Sequence, residues 1–328
     1  MNKIIAAAIA ASFSFSTQAI AADQLVIGTG GTGGTYYPVG VGIAKIVSDA
    51  VSDLSVDAVS SGGSTENVRL IGKKEIDLGI TNGVVGALAT SGTGVFDGKP
   101  QSNLRALFSL WGNTEHQVAL TSEVKTGTVA DLATLSGKYN IGGRKSGART
   151  AASLMLGAIG NDVENMNMEF LAKYSESARA LQDRRISAAN LGAGMPVAAV
   201  TELYATVGAD DVTILSFSDE QLNKLNDAFP GLYYRKEIPA NTYPGQTDAV
   251  ASAEYANLMV VDENVSDEVV YQFVKAVFDN LEDVHAIHPS AQAIKLDTAL
   301  SGLSAPLHPG AVRFYEENGL TIPDHLRP

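Results

Sequence analysis

An α/β protein of two domains, each built on a mainly parallel sheet, is what this sequence predicts, and three observations carry the prediction. Short apolar, β-branched runs alternate with helical patterns from residue 24 onward. The order strand, small-residue loop, helix occurs near residue 28 and begins afresh near residue 142. The chain has 328 residues, 45% of them hydrophobic, which exceeds the usual size of one domain and supplies apolar surface for more than one core.

Taken in order, Gln24 to Ile27 reads as a strand, Val39 to Val51 as a helix, Ser55 to Val59 as a strand, Thr65 to Lys73 as a helix and Ile76 to Ile80 as a strand. That βαβαβ order implies a parallel sheet. Leu104 to Leu110 and Gln117 to Leu120 continue the strand pattern. The second unit opens with strand Lys138 to Ile141, loop Gly142 to Gly147 and a helix from about Ala148 to Ile159. Strand Met168 to Leu171, helix Ser177 to Asp183 and strand Ile186 to Leu191 follow. Pro230 to Pro244 reads as a connecting segment, Asn257 to Val261 as a returning strand and Asp267 to Leu281 as a helix. The expected division is residues 1–21 as a signal peptide, 22–122 plus 246–328 as the first domain and 123–245 as the second, with the chain crossing twice between them.

The first residues set the compartment. Lys3, an apolar stretch from Ile4 to Phe15 and the small-x-small triplet Ala19-Ile20-Ala21 make a secretory signal, cleaved after Ala21 or Ala22. No later window approaches the ~20 apolar residues that a membrane span requires. The chain has no cysteine, hence no lipid attachment point and no disulfide. The expected destination is the periplasm of a Gram-negative bacterium. The formal charge of −13 becomes one unit more negative once Lys3 is removed, which disfavours nucleic acid and anionic membrane surfaces as partners. An anionic ligand must then be held by local groups.

Those groups are in the loops. Gly28-Thr29-Gly30-Gly31-Thr32-Gly33-Gly34-Thr35-Tyr36 follows the first strand and opens a helix, where glycines admit a close ligand and unpaired helix-start N–H groups attract anions. It also satisfies G-x-G-x-x-G, so a Rossmann-type NAD-dependent enzyme is the competing reading. The second strand, however, ends in Ser60-Ser61-Gly62-Gly63-Ser64, without the acidic residue that holds a ribose. No Gly-Lys-Ser/Thr follows the glycines, which removes a P-loop. Gly62, Gly63, Ser64 and Thr65 form a second small-residue loop, readable as a helix cap or as ligand contacts. Thr81-Asn82-Gly83 ends the third strand on the same sheet edge, where ligands of open α/β sheets collect.

In the second unit, Gly142-Gly143-Arg144-Lys145-Ser146-Gly147-Ala148-Arg149 repeats the arrangement with three cations. Arg144 and Arg149 are carboxylate anchors, or else part of a solvated basic turn. Trp111 is a core residue or a stacking surface for the ligand. His116 stands alone. His285 and His288 are three apart, matching either a metal pair or the positive charge favoured at a helix C-terminus, and Pro289 argues for the second. No Gly-x-Ser-x-Gly or His-Glu-x-x-His occurs. The loops carry no catalytic base, so no catalytic residue, metal or cofactor is expected.

The chain resembles the TAXI-type extracytoplasmic solute receptors of tripartite ATP-independent periplasmic (TRAP) transporters. The resemblance rests on residues 28–38, Gly-Thr-Gly-Gly-Thr-Gly-Gly-Thr-Tyr-Tyr-Pro, and 61–70, Ser-Gly-Gly-Ser-Thr-Glu-Asn-Val-Arg-Leu. Asp77 to Ile80, Asn103 to Leu107, Thr242 to Gln246 and Pro306 to Ala311 extend it over nearly the whole mature chain. It implies a two-domain type II periplasmic-binding-protein fold with a ligand cleft between the domains, sodium-driven TRAP membrane subunits as partners and ligands such as glutamate or related organic acids. By position it implies one wall of Thr32, Gly33, Thr35, Tyr36, Gly62, Gly63, Ser64 and Asn82, and a second of Ser146, Gly147 and the Gly194-Met195 turn. Family members often read Gly-Ala-Pro-Gly-Ser-Gly-Thr-Glu where this chain has residues 142–149, so Ala148 and Arg149 replace a hydroxyl and an acid. Losing a partner for an ammonium group and gaining a cation points to a dicarboxylate, such as 2-oxoglutarate or a four-carbon diacid, rather than glutamate. The expectation is a monomeric receptor that closes on a small organic anion, a role shared by transport receptors and periplasmic sensors.

Overall fold

A computed structural model describes residues 23–328; the expected signal peptide lies outside the described residues. The first sheet holds β1 (Asp23–Gly28), β2 (Leu54–Val59), β3 (Leu78–Asn82) and β4 (Leu104–Thr114), in order β2-β1-β3 with β1 parallel to both neighbours. The second contains β5 (Gln117–Leu120), β6 (Tyr139–Asn140), β7 (Met168–Glu169), β8 (Ala188–Asn190) and β9 (Val212–Leu215) in order β7-β6-β8-β5-β9. β10 (Tyr234–Ile238) and β11 (Val250–Asp262) return the chain to the first sheet, where β11 lies antiparallel between β3 and β4 and pairs with β10 through its first residues. Each sheet thus has three parallel strands followed by one antiparallel strand that enters from the other half. That shared order is the type II arrangement.

Helices cover both sheets. α1 (Tyr36–Ala50), α2 (Ser64–Gly72) and α3 (Gly83–Ser91) follow β1, β2 and β3, while α8 (Asp267–Asp279), α9 (Leu281–Ile287) and α10 (Pro309–Glu317) complete that half. α4 (Gly147–Ala158) and α7 (Asp219–Ala228) cover one face of the second sheet, α5 (Tyr174–Gln182) and α6 (Ala198–Val207) the other. Period-two alternation explains the sorting: Val118 and Leu120 of β5 face α5 and α6, whereas Ala119 faces the opposite core. Among the described residues no helix is long and apolar enough to cross a membrane.

Three local expectations change. The predicted helix Asp267 to Leu281 breaks at Asn280, whose φ of −115° and ψ of 35° end α8 and start α9. The segment 230–244 contains β10, an edge strand whose Tyr234 stays 45% exposed while Ile238 is buried. The division at residues 122 and 246 cuts across the sheets, because β5 belongs to the second and β10 to the first. The strands that cross are tied together between these points: the Glu115 N–H donates to the Ala253 carbonyl at 2.9 Å, and the Ser252 hydroxyl donates to the Glu115 carbonyl at 2.6 Å.

Candidate functional site

Parallel strands place the loops after β1, β2 and β3 on one edge, and those after β6, β7 and β8 on the edge facing them. Between the two edges is a cavity of about 70 Å³. At ~15 Å³ for each water-sized group, that is room for roughly five.

The first wall is built by hydrogen bonds among the loops themselves. Ser60 Oγ donates to the Gly30 carbonyl at 2.9 Å and Ser61 Oγ to that of Thr29 at 3.1 Å, which ties the second loop to the first. Buried Asn67 donates to the carbonyls of Gly28, Thr29 and Ile80 at 2.7–3.0 Å, joining all three strand ends. Gly63 precedes α2 at φ +87°, a left-handed position that suits glycine, and no side chain caps the helix. Ser64 Oγ instead accepts the Asn82 N–H at 3.0 Å and sits 3.3 Å from the Tyr36 hydroxyl. Gly30, Gly31, Gly34, Thr35, Tyr36, Gly62, Gly63, Ser64 and Asn82 line this side.

The second wall is Gly142, Gly143, Ser146, Gly147 and Ala148 from the loop after β6, Ala172 and Tyr174 from that after β7, and Gly192 and Ala193 from that after β8. Ser146 caps α4, its Oγ accepting the Arg149 N–H at 3.1 Å. The floor is Asn113 of β4 and Tyr255 of β11, joined by a 2.7 Å hydrogen bond from Asn113 Nδ2 to the phenol oxygen. No residue lining the cavity carries a charged side chain. Its polar character comes from hydroxyls, amides and the starts of α1, α2, α3, α4 and α5, all of which reach the cavity.

Several expected site residues sit elsewhere. Arg144 and Arg149 do not line the cavity: the guanidinium carbon of Arg144 lies 3.9 Å from the Phe170 ring centroid and that of Arg149 5.1 Å, and Arg149 Nη1 donates to the Arg144 carbonyl at 3.0 Å. Aromatic stacking draws both side chains out of the cleft. Thr32 is exposed. Gly33 docks on the second half, where its carbonyl accepts the Ala199 N–H at 3.4 Å. Gly194 and Met195 are held from below, their carbonyls accepting Thr35 Oγ1 at 3.0 Å and Ser290 Oγ at 2.8 Å. Trp111 is 3% exposed and packs edge-on against Tyr36, so the core reading applies. His285 bonds the Ile294 carbonyl and His288 accepts the Ser290 N–H, each serving local structure.

Two ionisable neighbours sit behind the floor: Glu115, which the sequence reading missed, and His116, to which it gave no role. Glu115 is buried, with Oε2 accepting from Gln117 at 3.0 Å and Oε1 unpartnered; burial pushes its carboxyl up to about 7 from 4.5. His116 points the other way, Nδ1 donating to the Thr114 carbonyl at 2.9 Å and Nε2 accepting from Tyr243 at 2.7 Å. Burial lowers His116 to about 4.

Residues 27–319 match the NMT1-like family, which is nearly all of the described chain. The chain belongs to the NMT1-like family. Among solved structures, the NMT1-like chain is similar to a protein of Bordetella bronchiseptica RB50 at 15% identity and a TM-score of 0.50, covering 92% of this chain and 90% of that one. This likeness concerns the fold alone. The alkanesulfonate-binding protein SsuA from Xanthomonas axonopodis pv. citri, bound to MOPS, matches at 12% identity and TM-score 0.46, covering 92% of each chain. The GluR0 ligand-binding core from Nostoc punctiforme, in complex with L-glutamate, matches at 11% identity and TM-score 0.47, over 81% of this chain and 98% of that one.

Proposed function

We propose that this NMT1-like protein is a periplasmic solute receptor that closes its two halves on one small organic anion and delivers it to TRAP-type membrane subunits. The observation that carries the reading is the cavity itself: helix starts from both halves converge on a small space lined by backbone, hydroxyl and amide groups, three alanines and three tyrosine rings, none of them charged. A carboxylate taken from water needs donors on every side, and helix-start N–H groups supply them without a competing counter-ion. A nicotinamide dinucleotide is far larger than about 70 Å³, which counts against the Rossmann alternative. The two halves are proposed to hinge where the chain crosses, near Thr114 to Gln117 and Val250 to Glu254.

Arg144 and Arg149 stack near Phe170 and do not line the cavity, which favours a ligand with a single carboxylate over the dicarboxylate expected from the sequence. A thermal-shift screen of the mature protein tests this, because a ligand at 100 times its dissociation constant adds ~2.7 kcal/mol. Stabilisation by acetate, pyruvate or lactate is the expected result. Selective stabilisation by 2-oxoglutarate, succinate or glutamate would overturn the single-carboxylate reading, and no response to any organic acid would overturn the receptor. Transport is tested by sodium-dependent uptake into vesicles carrying the membrane subunits.

A further inference from the structure

We infer that the cleft co-binds a proton with its anion, and that Glu115 is the residue that takes it up. The inference rests on the anion-receptor reading and concerns the same cleft. Glu115 lies directly behind the cavity floor: a Cβ on Gly192, which lines the cavity, would stand 2.9 Å from Glu115 Oε1 and 3.3 Å from Asn113 Nδ2. The carboxyl is 1% exposed, and Oε1 has no hydrogen-bond partner. Its backbone is bonded to Ser252 and Ala253 on the other crossing strand, so it occupies the place where the halves hinge.

Only neutral donors face Glu115: Gln117 Nε2 at 3.0 Å and the nearby Tyr255 hydroxyl favour the carboxylate, but by less than burial disfavours it. Tyr139 of β6, Tyr174 of α5, Tyr233 before β10 and Tyr255 of β11 bring phenols, which burial holds in their neutral form. His116, its chain neighbour, is turned to Tyr243 and kept neutral. Glu254, beside Tyr255, is occupied by Thr114 at 3.0 Å and Lys236 at 3.3 Å. An anion in the cavity and an ionised Glu115 behind its floor would repel each other through a medium of low dielectric. Closure over an anion therefore favours the protonated carboxyl. By linkage, each partner strengthens the other: the anion raises the proton affinity of Glu115, and the proton raises anion affinity. Burial, which pushes the carboxyl up to about 7 in this structure, runs in the same direction.

The test is calorimetry on the mature wild-type protein, titrated in turn with acetate, L-glutamate and 2-oxoglutarate, in two buffers of different ionisation enthalpy. From about pH 7 to about pH 8.5, proton uptake per bound anion should climb toward one, and affinity should fall by up to ~10-fold per pH unit. Glu115→Gln should abolish both effects while retaining binding. Uptake of no proton by the wild type, or undiminished uptake by the variant, would overturn the assignment. If none of the three acids binds, infrared spectroscopy of the protein alone decides Glu115, independently of the receptor reading. A protonated-carboxyl C=O band near neutral pH, present in the wild type and missing in Glu115→Gln, is expected; its absence from the wild type would overturn the proposal without any ligand or fold-sensitive variant.

Discussion

Gly147, the first residue of α4, lies so close to Ser64, the first residue of α2, that a Cβ at position 147 would stand 2.3 Å from the Ser64 Cβ. Two helix starts from opposite halves meet there, and only hydrogen separates them. Gly147→Ala should hold the cleft ajar and lower ligand affinity ~10- to 100-fold, or about 1.4–2.7 kcal/mol, because the lost closure contacts favour the closed state alone. Unliganded stability should change little. Adding Ser64→Gly, which removes the clashing atoms, should recover part of the affinity; calorimetry that finds Gly147→Ala binding like the wild type would show that closure does not bring these helices together.

Arg149→Ala should leave affinity within about twofold, since the side chain stacks near Phe170 and bonds the Arg144 carbonyl outside the cavity. The cost should appear in stability instead, at roughly 0.5–1 kcal/mol for a partly exposed cation–π contact. Urea unfolding and calorimetry on the same sample separate the two. A loss of affinity tenfold or more, with unchanged stability, would return the guanidinium to the ligand.

What could be read from the sequence follows from what makes each feature local. Thr35, Tyr36, Gly62, Gly63, Ser64 and Asn82 were legible because small-residue loops after parallel strands necessarily share a sheet edge, and all six line the cavity. Asn113, Tyr255 and Glu115 were not, because they reach the floor only through the pairing of Asn113 with Tyr255 and Thr114 with Glu254, about 140 residues apart and just outside the strands read from the sequence. The arginines misled for a related reason: three cations beside a loop look like a binding site until Phe170, which lies beyond α4 in the chain, is seen to draw two of them aside. The order of the first three strands was visible. The antiparallel insertion of β5 and β11 into the sheets of the opposite halves has no sequence signature of its own.

Adjacent residues Glu115 and His116 should give opposing pH slopes of stability. His116 is lowered in the fold from 6.5 to about 4, so its contribution is present above pH 6.5 and lost as pH falls toward 4. Glu115 is raised from 4.5 to about 7, so its contribution is present below pH 4.5 and lost as pH rises through 7. Each is worth on the order of 3 kcal/mol, and between pH 4.5 and 6.5 the two slopes nearly cancel. Glu115→Gln should unmask the histidine, so that urea midpoints climb with pH across that window while wild-type midpoints change much less. Parallel profiles for the two proteins would place the ionisation of Glu115 outside this range.

Asn67 should be the costliest polar residue to lose from the first wall. Its amide donates to Gly28, Thr29 and Ile80 carbonyls, its Oδ1 accepts from Ser61 at 2.6 Å, and the side chain is fully buried. Asn67→Ala removes a donor from each of those carbonyls, only that of Thr29 keeping a side-chain donor in Ser61 Oγ, at about 1–3 kcal/mol for a buried group left unpaired, so a total of roughly 2–4 kcal/mol is expected after relaxation. Asn67→Asp is the sharper probe because it keeps the shape and replaces three donor contacts with carboxylate facing carbonyl oxygen, which should cost at least as much as alanine at neutral pH. Lowering the pH toward protonation of that carboxyl should return part of the loss by restoring one donor. If both variants unfold in urea within about 1 kcal/mol of the wild type, the three strand ends are held by their backbone pairing alone.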